Sequence, residues 1–337
     1  MPSKKAYENL KKSGVPVDQN HYDYYDALES GDDISALMEV LHSFKGLTSS
    51  PVLTCNFVMG NPDFDKIRGD NYSHYHFEDF QTSYGRYYGN NFFSHWQQGI
   101  KEGLLVPQFH AREHVNVELW IKGLQAGDHQ TLQAFDLGYC GVVAATPSPY
   151  QRHYLAAFHS TNPKDGSNKS QILEDGLSKF EAVFGYRSKS FIACNYTWPT
   201  SLEEAAHRAG VRLLQGQRVQ LVPDEKTGGK IFFISHKTGD ANPLGQFYSV
   251  RNAYLEPSSD QGKDWVAACI NDISRAFFWK TPAIISTHRV NYIGTHYPKN
   301  RVEGLRSLKC LIQQIIDRWP DVQFMSTPQL LALMENK

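Results

Sequence analysis

His110 and His114 stand four residues apart at the end of a short apolar run, Leu104-Leu105-Val106-Pro107-Gln108-Phe109. With the run as a strand and a helix opening just after it, both imidazoles fall on one side of the chain. There they would hold a borderline divalent ion such as zinc. In a chain with 14 histidines the spacing gains meaning from its place at a strand end. Three other strand ends carry polar groups. Thr54-Cys55-Asn56-Phe57 leads into Asn61-Pro62-Asp63-Phe64-Asp65. Asn195-Tyr196-Thr197-Trp198-Pro199 follows a middle strand, and a late strand ends in His288-Arg289-Val290-Asn291-Tyr292. Asn56 offers a carbonyl oxygen to a metal but no carboxylate-like base. Asp63 sits in a turn that would aim a carboxylate at the same end; a plain Asx turn or helix cap is its alternative. Glu113 is a further possible base, although its place between the two histidines turns it away. Arg112 and Arg289 suit an anionic sugar group, or salt bridges across the rim. Asn291 flanks His288 at the rim. Trp198, Tyr292 and His159 would line a pocket or pack.

Those strand ends belong to an alternating pattern. A capped amphipathic helix is expected after Gly31-Asp32-Asp33, with Ile34, Leu37, Met38 and Leu41 on one face, and then a buried strand over 51–58. Strands are further expected at 104–109, 138–145, 190–194, 211–214, 282–287 and 322–325. Helices are expected at 94–103, after His114, and at 170–184, 201–209, 264–279, 301–317 and 328–334. A hairpin turning at Asp224-Glu225-Lys226-Thr227-Gly228-Gly229 interrupts the order. Residues 60–91 are polar, aromatic and too long for a plain connection, as functional loops after barrel strands often are. Strand followed by helix, at least six times, predicts a parallel α/β architecture. Polar groups after many different strands favour a barrel, whose strand ends share one rim. Residues 1–30 read as an N-terminal extension and 31–337 as one barrel domain.

Composition narrows the partners. The 337 residues carry 34 basic and 35 acidic side chains with no basic stripe, which argues against nucleic acid. Eighteen tyrosines and six tryptophans leave aromatics free to stack on sugar rings. No run approaches a membrane span and no apolar leader opens the chain, so a cytoplasmic protein is expected. Five cysteines without a CxxC pair read as reduced core residues.

On these residues the chain resembles the polysaccharide deacetylases, the family-four carbohydrate esterases with a distorted seven-stranded (β/α) barrel. His110-Ala111-Arg112-Glu113-His114 is similar to the family's His-(Ser/Thr)-x-x-His motif, and Ser286-Thr287-His288 to its Leu-x-His, over roughly residues 50 to 335. The pattern also looks like a divergent branch associated with bacterial surface-polysaccharide loci and O-antigen biosynthesis. The resemblance implies metal-assisted removal of an acetyl group from an amino-sugar glycan. His110 and His114 would be ligands, with Asn56 in support. His288 would be the general acid; in place of the family's aspartate, Asp63, ahead of Asp65, would reach back to the metal or act as the base. Thr54-Cys55-Asn56-Phe57 stands where the family has Thr-x-Asp-Asp, and the arginine of its Arg-Pro-Pro-Tyr motif has no match. Two rivals follow: a metal-free carbohydrate-binding protein on the same fold, and a glycoside hydrolase using two carboxylates among Asp63, Glu113, Glu118 and Glu256.

Overall fold

The computed structural model describes residues 3–17, 20–46, 49–89, 92–148 and 151–336. Two short helices open the chain, α1 (Lys4–Lys12) and α2 (His21–Tyr25). Helix α3 (Gly31–His42) starts where Ser30 and Asp33 form a reciprocal capping box, and Ile34, Leu37, Met38 and Leu41 give it a buried face. Strand β1 (Leu53–Val58) follows. The stretch after it is an ordered subassembly, not a loop: antiparallel β2 (Gly60–Pro62) and β3 (Phe77–Asp79) enclose α4 (Phe64–Gly69) and lead to α5 (Phe80–Tyr88). Helix α6 (Phe93–Lys101) then delivers β4 (Leu105–Ala111), α7 (Val117–Gln125) and α8 (His129–Asp136). The single strand expected over 138–145 is instead one arm of an antiparallel pair, β5 (Val143–Ser148) and β6 (Gln151–His153).

The chain continues through α9 (Pro163–Phe184), β7 (Ser190–Ile192), α10 (Ser201–Arg208) and β8 (Leu213–Gly216). The hairpin β9 (Val219–Asp224) and β10 (Lys230–Ser235) turns at the anticipated residues. Beyond it lie β11 (Phe247–Val250), β12 (Ala253–Tyr254), α11 (Trp265–Phe278), β13 (Ile285–Ser286), α12 (Pro298–Arg318) and α13 (Thr327–Glu335). Residues 322–325 form no strand. Ser49 Oγ takes the amide of Phe324 (2.7 Å), and Thr54 Oγ1 that of Thr327 at the start of α13 (2.8 Å).

Among the described residues, five strands make one parallel sheet in the order β1-β4-β7-β8-β11, and β12 pairs in parallel with β13. The architecture is therefore α/β with a parallel central sheet. Phe57, Phe109, Phe191 and Leu214 from the sheet pack with Leu177 and Phe180 of α9, Ile273 of α11 and Leu311 of α12 in the main core. A second cluster joins Tyr7, Leu10, Val15 and Val17 to Trp120, Leu124 and Phe135. Full burial of each such side chain contributes about 1.5–3 kcal/mol. Cys194 and Cys269 are buried as expected, whereas Cys310 is exposed. No helix among the described residues is long and apolar enough to cross a membrane.

Candidate functional site

Parallel strands put their carboxyl ends at one edge of the sheet. His110, Cys194, Arg251, Glu256 and His288 all lie at or just past such ends, those of β4, β7, β11, β12 and β13. The β1–β4 register slips between Phe57 and Val58, so that Phe57 pairs with Phe109 and Val58 with Ala111. His110 is left without a partner on β1, as the extra residue of a bulge is.

The His110 ring donates from Nδ1 to the Ile192 carbonyl at 2.7 Å, which leaves Nε2 with its lone pair. Burial, with smaller effects from His114, Arg251 and His288, pushes its pKa down to about 3. His114 is pushed down to about 4, again mainly by burial. Both imidazoles are therefore neutral near pH 7. Their rings lie 5.0 Å apart at 72°. His110 lies at the end of β4, as expected, but His114 is not on a helix: α7 begins only at Val117, because Asn116 caps it through Leu119 N (3.3 Å). The chain instead leaves β4 through a bend that brings the rings together. The sulfur of buried Cys194 joins them, and one ligand-capable atom from each of the three residues lies within 4.8 Å of the others. The next two residues, Asn195 and Tyr196, both have φ near +55°, a conformation costly for side-chain-bearing residues and common at functional sites. Asn195 Nδ2 lies 3.3 Å from His153 Nε2, and Tyr196 OH accepts from Arg251 Nη1 at 3.0 Å.

Glu256 supplies the carboxylate. Its Oε1 accepts from His288 Nδ1 at 2.6 Å and its Oε2 from Asn291 Nδ2 at 2.7 Å; Asn291 Oδ1 in turn accepts from Ser258 N at 3.0 Å. This chain of bonds fixes the His288 ring and leaves its Nε2 as the working atom. Tyr22 of α2 meets the same ring edge-on, at 5.3 Å and 85°.

The other candidates fall into supporting positions. Asn56 accepts from Gln215 Nε2 (3.0 Å), which also bonds Ser190 Oγ (2.9 Å), while Gln108 Oε1 accepts from Ser190 N and Oγ. These residues form an amide layer across β1, β4, β7 and β8. Phe57, on the next position, packs with Phe80, Trp96 and Phe184. Asp63 caps α4 through Lys66 N (3.0 Å), pairs with Lys66 Nζ, and lines a separate cleft with Phe77, Glu78, Arg86 and Lys179. Arg112 pairs with Glu113 (2.6 Å) and Asp175 (3.0 Å) rather than standing free for an anion, and Glu113 is thereby engaged as well. Arg289 is held by Asp26 (2.8 Å) and Glu29 (2.9 Å). Trp198 is buried with its Nε1 on Glu203 (3.1 Å), Tyr292 is buried on Thr287 Oγ1 (2.8 Å), and His159 is bonded to Gly229 O (3.0 Å). Cys194, Arg251 and Tyr22 were not found from the sequence, and Glu256 was seen only as a bare carboxylate, because β12 has two residues and no readable period.

No protein-family model matches the chain, and no curated protein matches it. Among solved structures it is similar to a GH57 branching enzyme from Thermococcus kodakaraensis (10% identity, TM-score 0.37, covering 97% of this chain and 64% of that one). It is also similar to an α-amylase from Thermotoga maritima (9%, 0.37, 93% and 61%) and to a GH57-type branching enzyme from Pyrococcus horikoshii (11%, 0.36, 97% and 63%). The chain spans less than two thirds of the length of each. The deacetylase resemblance is corrected here, together with the amide hydrolysis and O-antigen role it implied. These structures are branching enzymes and an amylase, not deacetylases. The places of the deacetylase aspartates hold Asn56, committed to the amide layer, and Phe57, committed to an aromatic cluster.

Proposed function

We propose that this chain is a carbohydrate hydrolase that cleaves a glycosidic bond by acid–base catalysis at the strand ends. The observation that carries the reading is the His288–Glu256–Asn291 relay just past the ends of β12 and β13, with the neutral His110–His114 pair at the end of β4. Inverting hydrolysis of a glycoside needs one group to protonate the leaving oxygen and another to take a proton from water. His288 is the donor in its doubly protonated form: the Glu256 carboxylate accepts from Nδ1 and balances the ring's charge, and the Nε2 proton goes to the leaving oxygen. His110 Nε2, with its lone pair free, is the acceptor. It does the work that a carboxylate does in most such enzymes. The Tyr22 and Tyr196 rings supply flat walls for a sugar. Incubation with maltohexaose, cellohexaose and chitohexaose, read by release of reducing ends, tests this. Hydrolysis of one of them that falls at least ~100-fold in His288→Asn is expected. Absence of release from all three, or an unimpaired variant, overturns the reading.

The convergence of His110, His114 and Cys194 favours a second reading of that wall. Two imidazole nitrogens and a sulfur fit a zinc ion better than a hard cation. Cys194 would take the place given to Asn56 from the sequence. A bound ion would supply a Lewis acid and lower the pKa of a water there. Elemental analysis of untagged protein separates the two: about one metal per chain, lost in His110→Ala and in Cys194→Ser, supports the ion, and none after incubation with zinc supports the free imidazoles. The parallel sheet and the β12–β13 pair would together form a seven-stranded distorted barrel. The bonds from Phe324 N to Ser49, just ahead of β1, and from Thr327 N to Thr54 of β1 support that closure.

A further inference from the structure

The segment just ahead of α3 is pinned across the candidate site by side chains rather than by a sheet or a long helix. Arg289 holds Asp26 and Glu29. Tyr139 donates to Asp23, Gln261 Nε2 to Tyr25 OH (2.8 Å), and Tyr24 stacks on Tyr297 at 4.4 Å. Two side chains of this arm take no part in that latch, His21 and Tyr22. They lie against each other (4.1 Å between ring centres), and Tyr22 meets the His288 ring at 5.3 Å. His21 Nε2 is buried and, among the described residues, has no hydrogen-bond partner. Leaving a buried polar atom unpaired is costly, and a ligand hydroxyl beside Tyr22 would relieve it.

We infer that residues 20–29 form a substrate-binding wall, in which His21 Nε2 hydrogen-bonds a sugar hydroxyl and the Tyr22 ring packs against the sugar beside His288. The nearest charged groups around the two rings are Glu256, Asp26 and Arg251, together with His288. A neutral, polyhydroxylated ligand suits that mixed surround, in which an anion would face two carboxylates. The Tyr22 hydroxyl stays protonated, because burial first and Glu256 second raise its pKa, so it serves as a donor. This inference rests on the carbohydrate reading of the site.

Calorimetric titration of the full chain with the same three hexasaccharides, alongside turnover, tests it. The variants are His21→Asn, Tyr22→Phe, Tyr22→Ala and His288→Asn, each checked for an unchanged melt. Tyr22→Ala should weaken binding about tenfold and His21→Asn several-fold, with Tyr22→Phe between wild type and alanine, while His288→Asn loses turnover at near-normal affinity. If His21→Asn and Tyr22→Ala bind and turn over as wild type while His288→Asn is inactive, the wall is wrong and the catalytic reading stands. If Tyr22→Ala loses affinity but His288→Asn turns over normally, the wall stands and the catalytic reading falls. Failure of the wild type to bind any of the three overturns both.

Discussion

The histidines of this chain divide by what their second nitrogen touches. His288 is anchored by a carboxylate and His110 by a carbonyl, and each presents Nε2. Glu256→Gln should keep the His288 ring bonded but reverse the preference for its tautomer, and a fall in kcat of at least ~100-fold with little change in KM is expected from steady-state assay. His110 and His114 bear on stability as well. Their pKa values, about 3 and about 4, lie below the ordinary 6.5. Between those limits the unfolded chain binds more protons than the folded one. Stability is therefore full above about pH 6.5 and is lost as pH falls toward 3. Thermal melts in EDTA should drop by several degrees from pH 7 to pH 4, and His110→Asn should flatten that slope. A melt that is flat over this range in the wild type would contradict the burial argument.

Short elements end at the chemistry, and longer ones brace it. Helix α9 carries Lys169, buried with its Nζ on Asn116 Oδ1 (2.9 Å) and Asp165 (3.3 Å). Asn116 also caps α7, accepts there from Leu119 N, and donates to His159 O (2.9 Å). One ammonium thus ties α9 to the bend that sets His114. Burial lowers the Lys169 pKa and raises that of Asp165, so the pair holds only as a pair. Lys169→Met should cost about 3–5 kcal/mol in urea unfolding, because it leaves the Asp165 carboxyl buried without its cation. Arg289→Ala acts on another element. It frees the arm from Asp26 and Glu29, and an increase in KM that exceeds the change in kcat is the expected kinetic result.

Over the whole molecule, two apolar clusters set which parts depend on each other. Tyr7, Leu10, Val15 and Val17 are each no more than 4% exposed, and they cover Trp120 and Phe135. Removing residues 1–17 should therefore cost several kcal/mol, at about 1.5–3 kcal/mol per buried side chain, and urea unfolding of the truncated chain measures it. An undiminished midpoint would make this segment a true appendage, as its polar composition suggests.

The sequence by itself determined what is local. Capping residues and 3.6-residue periods located α3, α9, α11 and α12, the turn residues located the β9–β10 hairpin, and apolar runs located β1 and β4 with His110 at the lip. The strand–helix alternation carried the parallel α/β architecture. Only the tertiary structure decided which polar groups share a site. Arg112 and Arg289 look identical in the sequence to free anion binders, yet each is paired to carboxylates. Glu256 follows a two-residue strand, Cys194 sits among apolar neighbours, and Tyr22 comes from a segment with almost no pattern. Glu256 and Tyr22 converge on His288, and Cys194 on His110, because β-strand pairing and side-chain packing join residues far apart in the chain. Such contacts leave no trace in local spacing, since the free energy that selects them is spread over the whole core.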